Sequence, residues 1–106
     1  MADPEILCAG MIVVDVLVRG INGLPKTGET GFVQGITLAT GGDANNEAVA
    51  LAKLGNRVGL IGMVGDDVQG QFIRDQLARA GVGTEGLFVK PGQATATGVV
   101  MILDGG

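Results

Sequence analysis

The sequence predicts an α/β fold built on a parallel sheet, and three stretches carry that reading. Ile6 to Val14 is almost continuously apolar, with Gly10 inside it, the pattern of a strand covered on both faces. From Ala44 the residues Ala44, Ala48, Leu51, Ala52 and Gly55 recur at helical spacing, and Arg57 to Val64 is again an apolar strand. Between them, Gly20 to Gly31 is polar and turn-rich before strand-like alternation resumes, so the chain leaves the sheet and returns to it. Strand, excursion, helix and strand together form one parallel crossover unit.

Taken in order, the first strand is expected to be central. Asp15 ends its run, at the carboxyl end where open α/β sheets place ligands. A solvated turn residue is the alternative, but Val16-Leu17-Val18 continue apolar, and a carboxylate buried among them is costly without a partner. Gly20 to Thr27 approximates a phosphate-binding loop, with Gly20, four residues and then a Lys-Thr pair after Pro25. It lacks the second glycine and the helix that such a loop needs, so it is a coincidence of spacing. Phe32, Gln34, Ile36 and Leu38 alternate as a strand over Phe32 to Thr40. Gly55 stops the helix that begins near Ala44.

Asp66 with Gln69 reads as a capping box opening a second helix, whose buried face is Val68, Phe72, Ile73, Leu77 and Ala80, with Gly81 as its stop. Asp66 and Asp67 also have the form of a metal pair, yet capping accounts for them without further assumptions. Gly81-Val82-Gly83-Thr84-Glu85-Gly86 satisfies the dinucleotide fingerprint by letter but closes a helix instead of opening one, so it reads as a stop and turn. Leu87 to Lys90 and Thr95 to Leu103 are strands, and Asp104-Gly105-Gly106 is a hairpin turn signal.

Composition narrows the function. The 106 residues suffice for one small domain, and 46% hydrophobic residues indicate a chain that buries surface. Seven basic against eleven acidic residues, a net charge of -4, leave no basic stripe for nucleic acid. The single Cys8 forms no internal disulfide, and with no histidine in the chain it has no partner for a zinc-type site. No apolar run reaches the roughly 20 residues that span a bilayer, and the first residues lack a basic signal start. A cytoplasmic protein without membrane attachment is expected.

The most informative stretch is Gly41-Gly42-Asp43-Ala44-Asn45-Asn46-Glu47-Ala48. Adjacent glycines let a ligand approach bare main chain, and the polar residues after them sit where a helix start leaves N–H groups unpaired. Such a corner suits a polyhydroxylated or anionic ligand. Asp43 and Asn46 serve equally as helix-capping residues, so local chemistry leaves both readings open. The spacing of Gly41, Gly42, Ala44, Asn46, Ala48, Gly55 and Gly65 resembles the N-terminal signature of the ribokinase-like (PfkB-type) carbohydrate kinases. Pro25-Lys26-Thr27-Gly28, Gly65-Asp66-Asp67 with Gly70, and Thr97-Gly98-Val99-Val100 extend the likeness along the whole chain.

The resemblance implies a ribokinase-like fold: a Rossmann-like parallel core over about 5–15 and 41–90, and a small β lid over about 16–40 and 95–104. It implies sugar binding by Asp15, Gly41, Gly42 and Asn46, with Val100 and Ile102 or their alternates lining the pocket. ATP and Mg2+ are the implied cofactors of the parent enzyme, a small sugar its substrate, and lid-to-lid pairing a route to a homodimer. The family's C-terminal signature, an Asp-Thr pair and then Gly-Ala-Gly-Asp with the catalytic Asp, has no match in residues 1 to 106. The stretch therefore resembles the sugar-binding half of such a kinase, without a catalytic base, and is expected to bind no cofactor and to be inactive alone. At Asp43, Ala44 and Asn45 it departs from the Lys-Gly-Ala of ribokinase itself, which keeps fructose-like, ketogluconate and nucleoside substrates open. A stand-alone ligand-binding domain is the alternative from another class, and a nucleotide-dependent dehydrogenase a distant third.

Overall fold

The computed structural model describes residues 3 to 105. Eight elements follow in the order β1 (Ile6–Ala9), β2 (Val13–Ile21), β3 (Gly35–Gly41), α1 (Asp43–Lys53), β4 (Val58–Gly65), α2 (Val68–Arg79), β5 (Leu87–Lys90) and β6 (Thr97–Leu103). They form two three-stranded sheets, ordered β1-β4-β5 and β3-β2-β6. The first is wholly parallel, with Cys8 opposite Leu60 and Val64 opposite Val89. Since each β-to-β step within it runs through a helix, this is the expected α/β core.

Both helices pack on one face of that sheet. Alternation places Ile6 and Cys8 of β1, Val58, Leu60 and Val64 of β4, and Leu87 and Val89 of β5 on this face, where they meet Ala48 of α1 and Ile73 and Leu77 of α2. Small residues on α1 bring its axis close to the strands. On the opposite face Leu7, Ile61, Met63 and Phe88 are exposed, Phe88 by 62%. The apolar runs in the sequence are therefore two-sided, but the described residues cover only one side. Within them β4, not β1, is the central strand, which corrects the first expectation.

A second correction concerns the run from Ile6 to Val14. It is not one strand: β1 ends at Ala9, residues 10 to 12 turn away, and β2 starts at Val13 in the other sheet. Both halves are apolar because Ile12 and Val14 are buried at the root of the lid, so periodicity gives no sign of the change. Asp15 thus lies inside a lid strand, three residues into β2, and not at the end of a core strand.

The second sheet is made of the stretches expected to form a lid, with residues 13 to 15 added to them. β2 pairs antiparallel with β3 and parallel with β6, with a register irregularity between Arg19 and Ile21. Strand β3 begins at Gly35, later than the alternation from Phe32 suggests, and Phe32 itself is 91% exposed in the loop. Residues 22 to 34 contain no helix, only a turn in which the Glu29 N–H donates to the Lys26 carbonyl at 2.9 Å, so the phosphate-loop likeness has no structural counterpart. The turn expected at 104–106 starts at Asp104 as read, while Gly106 lies outside the described residues.

Candidate functional site

The candidate site is the corner where β3 hands over to α1. Strand β3 ends at Gly41, and Gly42 is the residue before the first helical turn, with φ 95° and ψ 152°. A side chain at Gly42 would strike the Met11 carbonyl, so both its backbone angles and its surroundings demand glycine. No side chain caps α1: Asp43 is its first helical residue and not its cap, although its charge still complements the positive end of the helix. The Asn46 N–H donates to the Gly42 carbonyl at 2.9 Å, which seats Asn46 one turn above the glycines with its side chain exposed.

Asp15 reaches this corner from the lid. Its cross-strand neighbours are Ala39 on β3 and Gly98 on β6, and Val13 opposite Gly41 lies on the same face. The half-buried Asp15 carboxylate occupies space that a Cβ on Gly41 would take, and a Cβ on Gly98 would lie 3.4 Å from its other oxygen. Gly41 thus leaves room for one acidic group in a sheet that is otherwise mostly apolar there, while Gly98 borders it at ordinary contact distance. Asp15 forms no ion pair; the one salt bridge among the described residues joins Arg57 to Glu5 at 3.7 Å.

Register resolves which face of β6 belongs with Asp15. Leu17 pairs with Val100 and Arg19 with Ile102, and paired residues share a face, so Val100 and Ile102 lie on the Asp15 side. At about 3.3 Å per residue, Val100 is ~7 Å and Ile102 ~13 Å along the strand from the Gly98 position. Val100 is therefore a neighbour of the corner, while Ile102 stands further out beside Arg19.

Two residues at the corner carry no role in the sequence reading. Gly98 stands beside the Asp15 carboxylate on β6, and the available signal was a glycine inside a strand. Asn45 is buried to 2% exposure, donates from Nδ2 to Asn46 Oδ1 at 3.3 Å, and leaves its own Oδ1 without a partner. Its signal was a polar side chain three residues before Ala48 on the buried row of α1.

The Asp66–Asp67 pair is structural. Asp67, not Asp66, caps α2, accepting from the Gly70 N–H at 2.9 Å. It also accepts from the Thr95 N–H at 2.8 Å and from the Thr95 hydroxyl, while the Gly65 N–H donates to that hydroxyl at 2.8 Å. Asp66 accepts from the Gly92 N–H at 3.2 Å. The Thr95 hydroxyl first, then the Thr95 and Gly70 amides, hold the Asp67 carboxyl below the usual carboxylate range. A cavity of about 310 Å³ lies elsewhere, at the lid tip among Ile21, Pro25, Glu29 and Phe32. Ile21 is six residues along β2 from Asp15, or ~20 Å. That hollow has Glu29 as its only charged group and no helix start, so volume and chemistry part company and the glycine corner is the better candidate.

With this geometry in place, the chain can be set beside known proteins. Residues 5–106 match the description "pfkB family carbohydrate kinase". The chain belongs to that family. It is 37% identical over 102 residues to the ATP-dependent ribose-1-phosphate kinase of Halopiger xanaduensis, covering 96% of this chain and 34% of that protein. Among solved structures it is similar to Arabidopsis thaliana ribokinase complexed with ribose and ATP, with a TM-score of 0.85 and 29% identity over 94% of this chain and 32% of that one. Fructokinase from Xylella fastidiosa gives a TM-score of 0.74 and 36% identity over 91% of this chain and 29% of the other. The pfkB chain described here therefore has the ribokinase-like α/β fold, and it spans about a third of the length of these relatives.

Proposed function

We propose that the chain is the N-terminal, sugar-binding portion of an ATP-dependent carbohydrate kinase that transfers the γ-phosphoryl group to a sugar hydroxyl. The observation that carries this reading is Asp15, whose carboxylate lies in space cleared by Gly41 beside the start of α1. An ionised carboxylate only accepts hydrogen bonds, and its two oxygens match two hydroxyls on neighbouring sugar carbons. Gly41 and Gly42 offer bare main chain, and Asn46 adds an amide one turn into the helix. Val100 supplies an apolar wall on the Asp15 face, with Ile102 further out.

Phosphoryl transfer also needs a base at the accepting hydroxyl, donors for the developing charge and a metal-bound nucleotide. ATP and Mg2+ would supply the phosphoryl group and neutralise its charge. The described residues do not fit that cofactor pair: the Gly20–Thr27 segment lacks the helix of a phosphate loop, and Asp66 and Asp67 are committed to backbone partners. These functions are assigned to chain outside the 106 residues, which alone are expected to be inactive. The exposed apolar face of the core sheet disfavours the stand-alone binding domain. A cytoplasmic setting agrees with the buried, unpaired Cys8. Among the described residues no helix is long and apolar enough to cross a membrane. A homodimer through the lid is supported by the second exposed apolar face, on the side of β3-β2-β6 away from Asp15.

The test is ADP release by the full-length protein with ATP and Mg2+ and a panel of D-ribose, D-fructose, 2-keto-3-deoxygluconate and adenosine. Saturable turnover with at least one member is expected. Asp15→Asn should raise KM for that sugar by about 10- to 100-fold, the loss of a charged hydrogen-bond acceptor. Inactivity toward the whole panel, or an unchanged KM in Asp15→Asn, overturns the reading, as does sugar-dependent ATP turnover by residues 1 to 106 alone.

A further inference from the structure

We propose that Asn45 is a positioning residue that fixes the orientation of the Asn46 amide, so that Asn46 turns its Nδ2 donors toward the ligand. The inference rests on the reading of the Gly41–Gly42 corner as a sugar site. Asn45 is almost wholly buried on the row of α1 that also buries Ala48, where alanine suits the helix better and leaves no polar atom without a partner. Its Oδ1 is such an atom. A buried acceptor without a partner costs stability, so its presence calls for a role that packing does not supply.

The role is visible in its other end. Asn45 Nδ2 donates to Asn46 Oδ1 at 3.3 Å. The opposite assignment of the Asn45 amide would bury an unpaired N–H2 group instead of an unpaired oxygen, the rarer and worse arrangement. With Asn46 Oδ1 held on the Asn45 side, the end of its exposed amide that is turned outward is Nδ2, which carries two donors, while Oδ1 keeps one lone pair. Asp15 is acceptor-only. The corner is thus polarised, with hydroxyl hydrogens read from the lid side and an oxygen lone pair, of a hydroxyl or a carbonyl, read from the helix side. A ligand that presents both, as a sugar or keto-sugar does, matches this corner.

The experiment is a double-mutant cycle on the full-length protein with ATP, Mg2+ and the preferred sugar of the panel above. Asn46→Ala should raise KM for the sugar by about 5- to 10-fold, the size of one lost hydrogen bond. Asn45→Ala should raise KM by about 3- to 10-fold with kcat nearly unchanged, and should have no further effect in the Asn46→Ala background, since it acts only through Asn46. Asn45→Asp removes the donor at constant shape and should move KM in the same direction; should its buried carboxylate prevent folding, Asn45→Ala still decides. An unchanged KM in Asn45→Ala, or an equal loss in both backgrounds, overturns the positioning role while leaving the sugar site standing. An Asn46→Ala enzyme with unchanged KM overturns the site itself, and this inference with it.

Discussion

At the scale of single residues, the two glycines of the corner do different work, and substitution separates them. Gly41 has an ordinary negative φ, so alanine strains nothing in its backbone, but the new methyl group enters the space of the Asp15 carboxylate. Gly41→Ala should therefore fold normally and lose sugar affinity, with KM raised about 10-fold or more as Asp15 is displaced. Gly42→Ala combines a positive φ with a collision at the Met11 carbonyl, and should lower Tm well before any effect on binding can be measured. Thermal unfolding alongside steady-state kinetics distinguishes the pair; equal Tm losses in both would contradict the assignment. The sequence made the glycine pair legible as a place of close approach. It did not reveal which glycine serves the backbone and which the neighbour, because the neighbour comes from a strand some 26 residues earlier in the chain.

At the scale of elements, the latch between the start of α2 and the entry to β6 is held by one carboxylate. Asp67 caps α2 and takes both the amide and the hydroxyl of Thr95, tying the helix to the strand that completes the lid. Its carboxyl is held below the usual range, so the bonds contribute stability that is fully present above the unfolded pKa of about 3.9 and is lost as the pH falls through the lower, folded value. Asp67→Asn should accordingly have a lower Tm than wild type at pH 7, and the gap should narrow as the pH drops below about 4. A gap that stays constant from pH 7 to pH 3 would rule out the carboxylate as its source. The sequence points to a capped helix here but picks Asp66, since Gln69 completes a capping box for Asp66 and not for Asp67, and only the contact with Thr95, 28 residues beyond Asp67, marks the acid that caps. The second helix was legible apart from Val68, which was expected on its buried face but is 83% exposed at its first residue. Ile73 and Leu77 fall on the expected face and are fully buried, and Leu77→Ala should cost about 2–5 kcal/mol in denaturant unfolding.

For the whole molecule, both sheets carry apolar side chains on two faces, but the helices cover only one face of the core sheet, and the lid sheet has exposed apolar residues on both of its faces. That explains why the α/β class was legible from periodicity while the passage from core to lid was not, because Ile6–Ala9 and Val13–Val18 present the same composition although they belong to different sheets. The lid carries its exposed apolar surface in two cross-strand rows, Leu38-Val16-Val99 and Ile36-Val18-Met101, on the face away from Asp15. Ile36 is 63% and Val99 58% exposed, and β-branched side chains aligned in this way are suited to packing against a second sheet about 10 Å away. Pairing two lids through these rows would bury them while leaving both Asp15 faces open to ligand. Sedimentation of the full-length protein should therefore give a dimer, and Leu38→Glu, which sets a charge in the middle of one row, should shift it to monomer. Because Leu38 sits on the opposite face from the glycine corner, the dissociated variant should still bind sugar. Any loss of affinity it shows should be recovered at protein concentrations high enough to restore the dimer. A wild-type protein that remains monomeric at tens of micromolar would leave these rows without the proposed partner.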